Sequence, residues 1–321
     1  MADRPLPVVL DVDTGVDDAL ALLLAARHPG LDLRAVSCVA GNVGVDQVVA
    51  NTLRVLDAAG AGDVPVARGA DRPLVEPARE ARHVHGEDGL GDLGLPRSHR
   101  RAEGVHAVEL LRRAVLDAPE PVTLVALAPL TNVALLLRSH PEVGPRLARV
   151  VVMGGAATGG NATAAAEFNV WHDPEAAEVV LGAGLPVTLY GLDVFYEVAL
   201  TAAEADALAA SGEPAAALAG RLVRHQVARL GGVSGTLGDA GAVAAALDPG
   251  GLRTERLPVR VELAGRWTRG QTVVDRRAPH DRAADPLGPP GPPVDVALQV
   301  DADRYRRLFL DAVTGVPSWA A

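Results

Sequence analysis

Short β-branched runs alternate with helix-length amphipathic segments from the start of the chain, and this alternation constrains its fold more than any other feature. Val8–Val12, Leu33–Val39, Val64–Ala67, Val122–Ala126, Val150–Met153 and Val187–Leu189 carry strand signatures. Asp17–Arg27, Val45–Ala59, His106–Asp117, Thr131–Ser139 and Asp173–Leu181 carry apolar residues at helical spacing. Strands separated by helices require crossover connections, which set the strands parallel and put helices on both faces. The expectation is an α/β protein with a large, mostly parallel central sheet flanked by helices and a Rossmann-like core. At 49% hydrophobic residues the chain can fill such a core. After residue 200 the pattern turns helical, over Thr201–Ala210, Pro214–Leu230 and Asp239–Leu247. A late β-ribbon (Arg256–Ala264 with Gln271–Val274), a strand Val294–Val300 and a helix Ala302–Val313 follow. Residues 68–101 and 285–293 are rich in Gly and Pro and are expected as loops. No repeat or linker divides the chain, so a single domain over residues 1–321 is expected.

The first strand runs into Asp11, Asp13, Asp17 and Asp18, four carboxylates within eight residues, immediately before an apolar helix. Open parallel sheets form their sites outside the carboxyl ends of the strands. Like charges at ~4 Å repel by ~1 to 4 kcal/mol between bulk water and a protein surface. Helix capping accounts for one or two of these acids, whereas a hard divalent cation, which prefers carboxylate oxygens, accounts for all of them. A haloacid-dehalogenase-type phosphatase also opens on Asp-x-Asp, but it wants Thr or Val where Gly15 stands and a lysine later on. All 30 basic residues here are arginine. The absence of lysine also excludes Schiff-base chemistry and a phosphate-loop lysine. An EF-hand loop fails because Val16 and Leu22 hold the positions of its Gly and Glu.

Asp11-Val12-Asp13-Thr14-Gly15-Val16-Asp17-Asp18 resembles the N-terminal signature of the inosine–uridine-type nucleoside hydrolases, with Thr14 where Pro is common. Other blocks follow in that family's order. They are Val39-Ala40-Gly41-Asn42, His85-Gly86-Glu87-Asp88-Gly89-Leu90-Gly91, and Ala128-Pro129-Leu130-Thr131-Asn132-Val133-Ala134. Met153-Gly154-Gly155 through Asn161, the run Ala166–Ala177, and Gly238-Asp239 complete the set. The resemblance implies a Ca²⁺-dependent hydrolysis of the N-glycosidic bond of ribonucleosides to ribose and free base. It further implies that Asp13, Asp18, Asp239 and the backbone carbonyl of Thr131 hold calcium. Asp17, Asn42, Asn161, Glu167 and Asn169, with Asp239, would bind the sugar, and Met153 would pack beside it. Calcium takes 6–8 oxygens, leaving room for water and sugar hydroxyls. Asp13 is expected as the base that takes a proton from a water on the cation. Carboxylates around the sugar suit an oxocarbenium-like transition state.

One departure from the family pattern matters. Relatives commonly carry a histidine before the C-terminal aspartate, and here that position is Gly238. His85 is the expected acid for the departing base, with His225, Gln226, Asp88 and Tyr196 as further candidates. The missing histidine favours purines as substrates, since a purine ring can be protonated and leave with less help. A ribose- or nucleoside-binding protein of weakened catalysis, or a hydrolase of a specialised N-riboside, are the alternatives kept open. Several of the residues have bland roles too. Asn42 fits ordinary turn chemistry, Thr131 fits an N-cap, and Glu167–Val170 alternates like a half-exposed strand. The formal charge of −10 argues against nucleic-acid binding. Cys38, the one cysteine, excludes a disulfide framework and is expected as an inert core thiol. No signal peptide or membrane span is evident, so a cytoplasmic protein is expected, assembled as a homodimer or homotetramer as the resemblance implies.

Overall fold

A computed structural model describes residues 4–315 apart from Ala284 and Pro289. The strands among them are β1 (Leu6–Val12), β2 (Leu31–Cys38), β3 (Val66–Arg68), β4 (Val122–Ala126), β5 (Leu147–Met153), β6 (Val187–Tyr190), β7 (Ala199–Thr201), β8 (Ser234–Thr236), β9 (Leu252–Val261), β10 (Thr272–Val274) and β11 (Pro293–Val300). Nine of them form one sheet in the order β3-β2-β1-β4-β5-β6-β11-β9-β10, and β7 pairs with β8. Neighbours run parallel from β3 across to β11, as expected. β9 and β10 add an antiparallel edge, the late ribbon read from the sequence.

Period-2 alternation sends successive side chains to opposite faces. Val8, Leu10 and Val12 of β1, Val125 of β4, and Val151 and Met153 of β5 join one apolar layer. Val9, Leu124, Ala126, Val150 and Val152 join the other. Both faces are therefore apolar, and helices cover both. The helices Val16–Arg27, Val45–Ala58, Asp239–Leu247 and Ala302–Thr314 lie on the first. The helices Ala107–Leu116, Thr131–Ser139 and Pro174–Leu181 lie on the second.

The strand order positions the site. From β1 the chain winds outward through β2 and β3, then returns to place β4 on the other side of β1. Such a reversal opens a crevice beyond the carboxyl ends of the two central strands. The acidic run follows β1 directly, at that crevice. The helix Asp239–Leu247 packs against Val16–Arg27, so an aspartate more than two hundred residues away arrives at the same place.

Several local expectations change. Residues 167–170 are not a strand: Glu167 caps a short helix, Phe168–His172, with its carboxylate accepting from Asn169 and Val170 N–H groups. Residues 68–101 hold a short helix, Arg82–His85. β9 begins at Leu252, and the three-residue strands β7 and β8 are too short to show a period in the sequence. Among the described residues no helix is long and apolar enough to cross a membrane. Cys38 is buried, and burial pushes its thiol up to about 12, so it is an unreactive core group.

Candidate active site

A cavity of about 530 Å³ opens at the crevice, and Asp13, Asp17, Asn42, His85, Leu127, Met153, Asn161, Glu167, Asn169 and Asp239 all line it. The acidic end is built by short-range geometry at the end of β1. Asp18 is the third residue of its helix, and its carboxylate reaches back to accept from Asp13 N at 3.1 Å and Gly15 N at 2.9 Å. That fixes the turn between strand and helix. Asn42, from the turn after β2, donates its backbone N–H to Asp13 Oδ2 at 2.7 Å and its amide to Asp18 Oδ2 at 3.1 Å. Gly41 permits this approach, since a Cβ there would collide with the Asp13 carboxylate. Asn42 is thus more than a turn residue.

Carboxylate oxygens of Asp17, Asp18 and Asp239 lie within 4.8 Å of one another. Asp13 belongs to the same charge cluster. Burial, then repulsion from Asp18, holds its acid well above the ordinary range. Burial followed by repulsion from Asp17, Asp18 and Asp13 does the same to Asp239, and Asp18 is pushed up to about 7. Asp17 Oδ1 is buried without a hydrogen-bond partner among the described residues. Buried carboxylates that resist ionisation and share an orphaned oxygen fit a cation that would supply the missing positive charge. An all-oxygen donor set selects a hard ion.

The neutral wall comes from β4, β5 and the segment after them. Asn169 donates its amide to the carbonyls of Leu127 (2.9 Å) and Met153 (3.1 Å). With both amide hydrogens engaged, its Oδ1 remains as an acceptor. Asn161 is complementary: its Oδ1 takes Phe168 N–H at 2.9 Å, leaving the amide hydrogens to donate. Glu167 accepts from Gly155, Asn169 and Val170 N–H groups. Burial raises its acid to about 7, against the lowering effect of those three donors.

Of the residues expected to hold the metal, Asp18 does not line the cavity, and neither does Thr131. Thr131 opens the helix Thr131–Ser139, where a first-turn carbonyl accepts a bond within the helix, and its hydroxyl donates to Asp173 at 2.6 Å. The residue that lines the cavity from this segment is Leu127, just after β4, and its carbonyl accepts from the Asn169 amide. Backbone oxygens carry no residue-type signal, so only position at a strand end could have pointed to it.

His85 lines the cavity next to the acidic turn. Val16 N–H donates to its Nδ1 at 3.1 Å, which places the proton of the neutral ring on Nε2. Burial lowers its pKa; Asp17, 3.7 Å away, opposes that, while Arg229 adds to it. Phe195, Tyr196, Gln226 and Arg229 line the same cavity. Arg79 and Trp171 also line the cavity, with the guanidinium 4.4 Å from the ring centroid. Arg79, Arg229 and Phe195 lie outside the motif blocks, whereas Trp171 falls within the run Ala166–Ala177. His225 and Asp88 do not line the cavity. His225 Nε2 lies 3.5 Å from the Val84 carbonyl, and Asp88 accepts from Leu90 and Asp92 N–H groups within its own loop.

A carboxylate-rich floor for a cation and hydroxyl groups, beside a partly aromatic compartment, suits hydrolysis of a sugar joined to a planar base. Comparison with known proteins agrees. The family described as inosine-uridine preferring nucleoside hydrolase matches residues 8–307. A pyrimidine-specific ribonucleoside hydrolase RihA from Citrobacter koseri is 42% identical over 275 residues, 84% of this chain and 88% of that protein. Among solved structures, the plant nucleoside hydrolase PpNRh1 has a TM-score of 0.89 at 30% identity, covering 97% of this chain and 99% of that one. A purine-preferring ribonucleoside hydrolase from Gardnerella vaginalis has a TM-score of 0.87 at 31% identity, covering 98% and 99%. The chain belongs to the inosine–uridine preferring nucleoside hydrolase family, and the reaction it catalyses is hydrolysis of the N-glycosidic bond of ribonucleosides.

Proposed function

We propose that the chain is a calcium-dependent pyrimidine ribonucleoside hydrolase in which Asp13 is the general base. The observation that carries the metal is the carboxylate cluster of Asp13, Asp17, Asp18 and Asp239, in which the buried acids of Asp13, Asp18 and Asp239 are held above their ordinary range. Asp13, Asp18 and Asp239 would hold the ion, with the Leu127 carbonyl in place of the Thr131 carbonyl expected from sequence. Asp17 lies close enough to its neighbours to serve as ligand or sugar contact. Calcium there would make a nearby water more acidic and attract sugar hydroxyls. Asp13, raised by burial, takes the proton of the attacking water. Glu167, Asn169 and Asn161 accept from and donate to the ribose hydroxyls, and Asn42 orients the Asp13 carboxylate. The carboxylates together stabilise positive charge developing on the sugar.

For the base, the curated relative at 42% identity favours pyrimidines, against the purine preference inferred from Gly238. A cytoplasmic homodimer or homotetramer of single-domain subunits belongs to the same proposal. Ribose release from uridine, cytidine, inosine and adenosine, with a chelator and with calcium or magnesium restored, tests the substrate and metal parts. The expected result is fast uridine turnover abolished by chelation and restored by calcium. Fast inosine with slow uridine overturns the pyrimidine reading, and full activity in chelator overturns the metal.

A further inference from the structure

We infer that Arg229 is the group that receives the departing base, stabilising it as an anion rather than by protonation. The inference rests on the nucleoside-site reading above and adds the leaving-group half of the reaction.

Besides the carboxylates the cavity is lined by His85, Phe195, Tyr196, Gln226 and Arg229, and we place the base among these side chains. Breaking the bond between C1′ and the base nitrogen leaves an electron pair on the base. A proton or a positive charge must meet it. Gly238 supplies neither. Its φ of +53° suits glycine, and a Cβ there would lie 2.7 Å from Phe195 Cζ and 3.1 Å from Asp17 Cβ. The Phe195 ring closes the place from which a side chain at 238 would act. His85 offers only a neutral N–H, because its Nδ1 is taken by Val16 N–H and burial disfavours its cation. Gln226 is neutral, with Oε1 buried and unpartnered among the described residues.

Two arginines line the cavity. Arg79 is engaged, over the Trp171 ring and 3.2 Å from Glu76. The Arg229 side chain makes no ion pair or hydrogen bond among the described residues. It stands three residues after Gln226 in the helix Pro214–Leu230, a spacing that puts both on one helical face. Its charge reaches the base compartment, since it helps hold His85 neutral. It is the one cavity-lining cation without a protein partner among the described residues.

The water oxygen bonds to C1′ while its proton passes to the Asp13 carboxylate. The C1′–N bond breaks, and its electron pair delocalises onto the carbonyl beside that nitrogen. The Arg229 guanidinium donates to that carbonyl oxygen, and the released base anion takes its proton from solvent. A base with a carbonyl adjacent to the glycosidic nitrogen, as in uridine, gains most from this arrangement. A purine, which has no carbonyl there, gains least.

The test compares the full-length calcium-loaded enzyme with Arg229→Gln and Arg229→Lys on uridine and on a nitrophenyl riboside, whose leaving group is already a stable anion. Arg229 is exposed at the rim, so matching thermal midpoints confirm intact folding. Arg229→Gln should lower kcat for uridine by about 100-fold or more, the scale of one lost transition-state donor, with nitrophenyl riboside turnover nearly unchanged. Arg229→Lys should recover part of the loss. The wild-type uridine rate should not fall between pH 7 and 8.5, because a guanidinium does not titrate there. Equal losses on both substrates, an unchanged uridine rate, or a histidine-like fall above pH 7 would overturn the inference while leaving the site reading intact. A wild-type enzyme inactive on both substrates would overturn the site reading and this inference with it.

Discussion

Asp13 shows how much one side chain depends on its neighbours. Its backbone N–H donates to Asp18, and its carboxylate accepts from Asn42 over a glycine that leaves room for it. Asp13→Asn keeps that size and removes the basic oxygen. It should lower kcat by ~10²–10⁴, the usual worth of a general base, measured as ribose release from saturating uridine. Retention of near-wild-type kcat would remove Asp13 from that role. At this scale the four acids of the first strand end were legible, because repulsion among adjacent carboxylates demands an explanation wherever they sit. Leu127 was not, since its contribution is a carbonyl that every residue type possesses. Arg229 was not either, because nothing in an amphipathic helix marks which arginine turns toward a cavity.

Glu167 does two things for one element. It caps the helix Phe168–His172 and presents a carboxylate to the cavity. Period-2 alternation there suggested a strand. A five-residue helix has too few turns to display its own period, and the cap, not the pattern, decides its form. Glu167→Ala strips three N–H groups of their acceptor. We expect a loss of ~1–2 kcal/mol of stability, typical of a deleted cap, together with a raised KM for uridine. Urea unfolding and steady-state kinetics read the two effects separately. An unchanged KM would assign Glu167 to the cap alone. Thr131 is the complementary case: it opens the helix Thr131–Ser139, donates its hydroxyl to Asp173 and does not line the cavity.

Over the whole molecule the acidic site couples charge to stability. Burial raises Asp11, Asp18 and Glu167 to about 7 from 3.8, 3.8 and 4.5. Each binds its proton more tightly folded than unfolded, so its contribution is fully present below the unfolded value. It is lost as pH rises through about 7. The chelated protein should therefore melt at progressively lower temperature between pH 5 and pH 8. Added calcium should raise the midpoint most at pH 8, where the carboxylates it binds are ionised. Calorimetry across that range checks both, and a midpoint in chelator that climbs with pH would contradict the buried-acid account.

The sequence by itself determined the parallel sheet, its two helical layers and the acidic strand end, since periodicity and composition are local and each segment reports its own. It also carried the family motifs in order. Only the tertiary structure decided that β1 and β4 flank the crevice, how close Asp239 comes to Asp17 and Asp18, and that Phe195 closes the space over Gly238. Those outcomes depend on contacts between segments far apart in the chain, where strand order and helix packing, not local pattern, set which side chains meet.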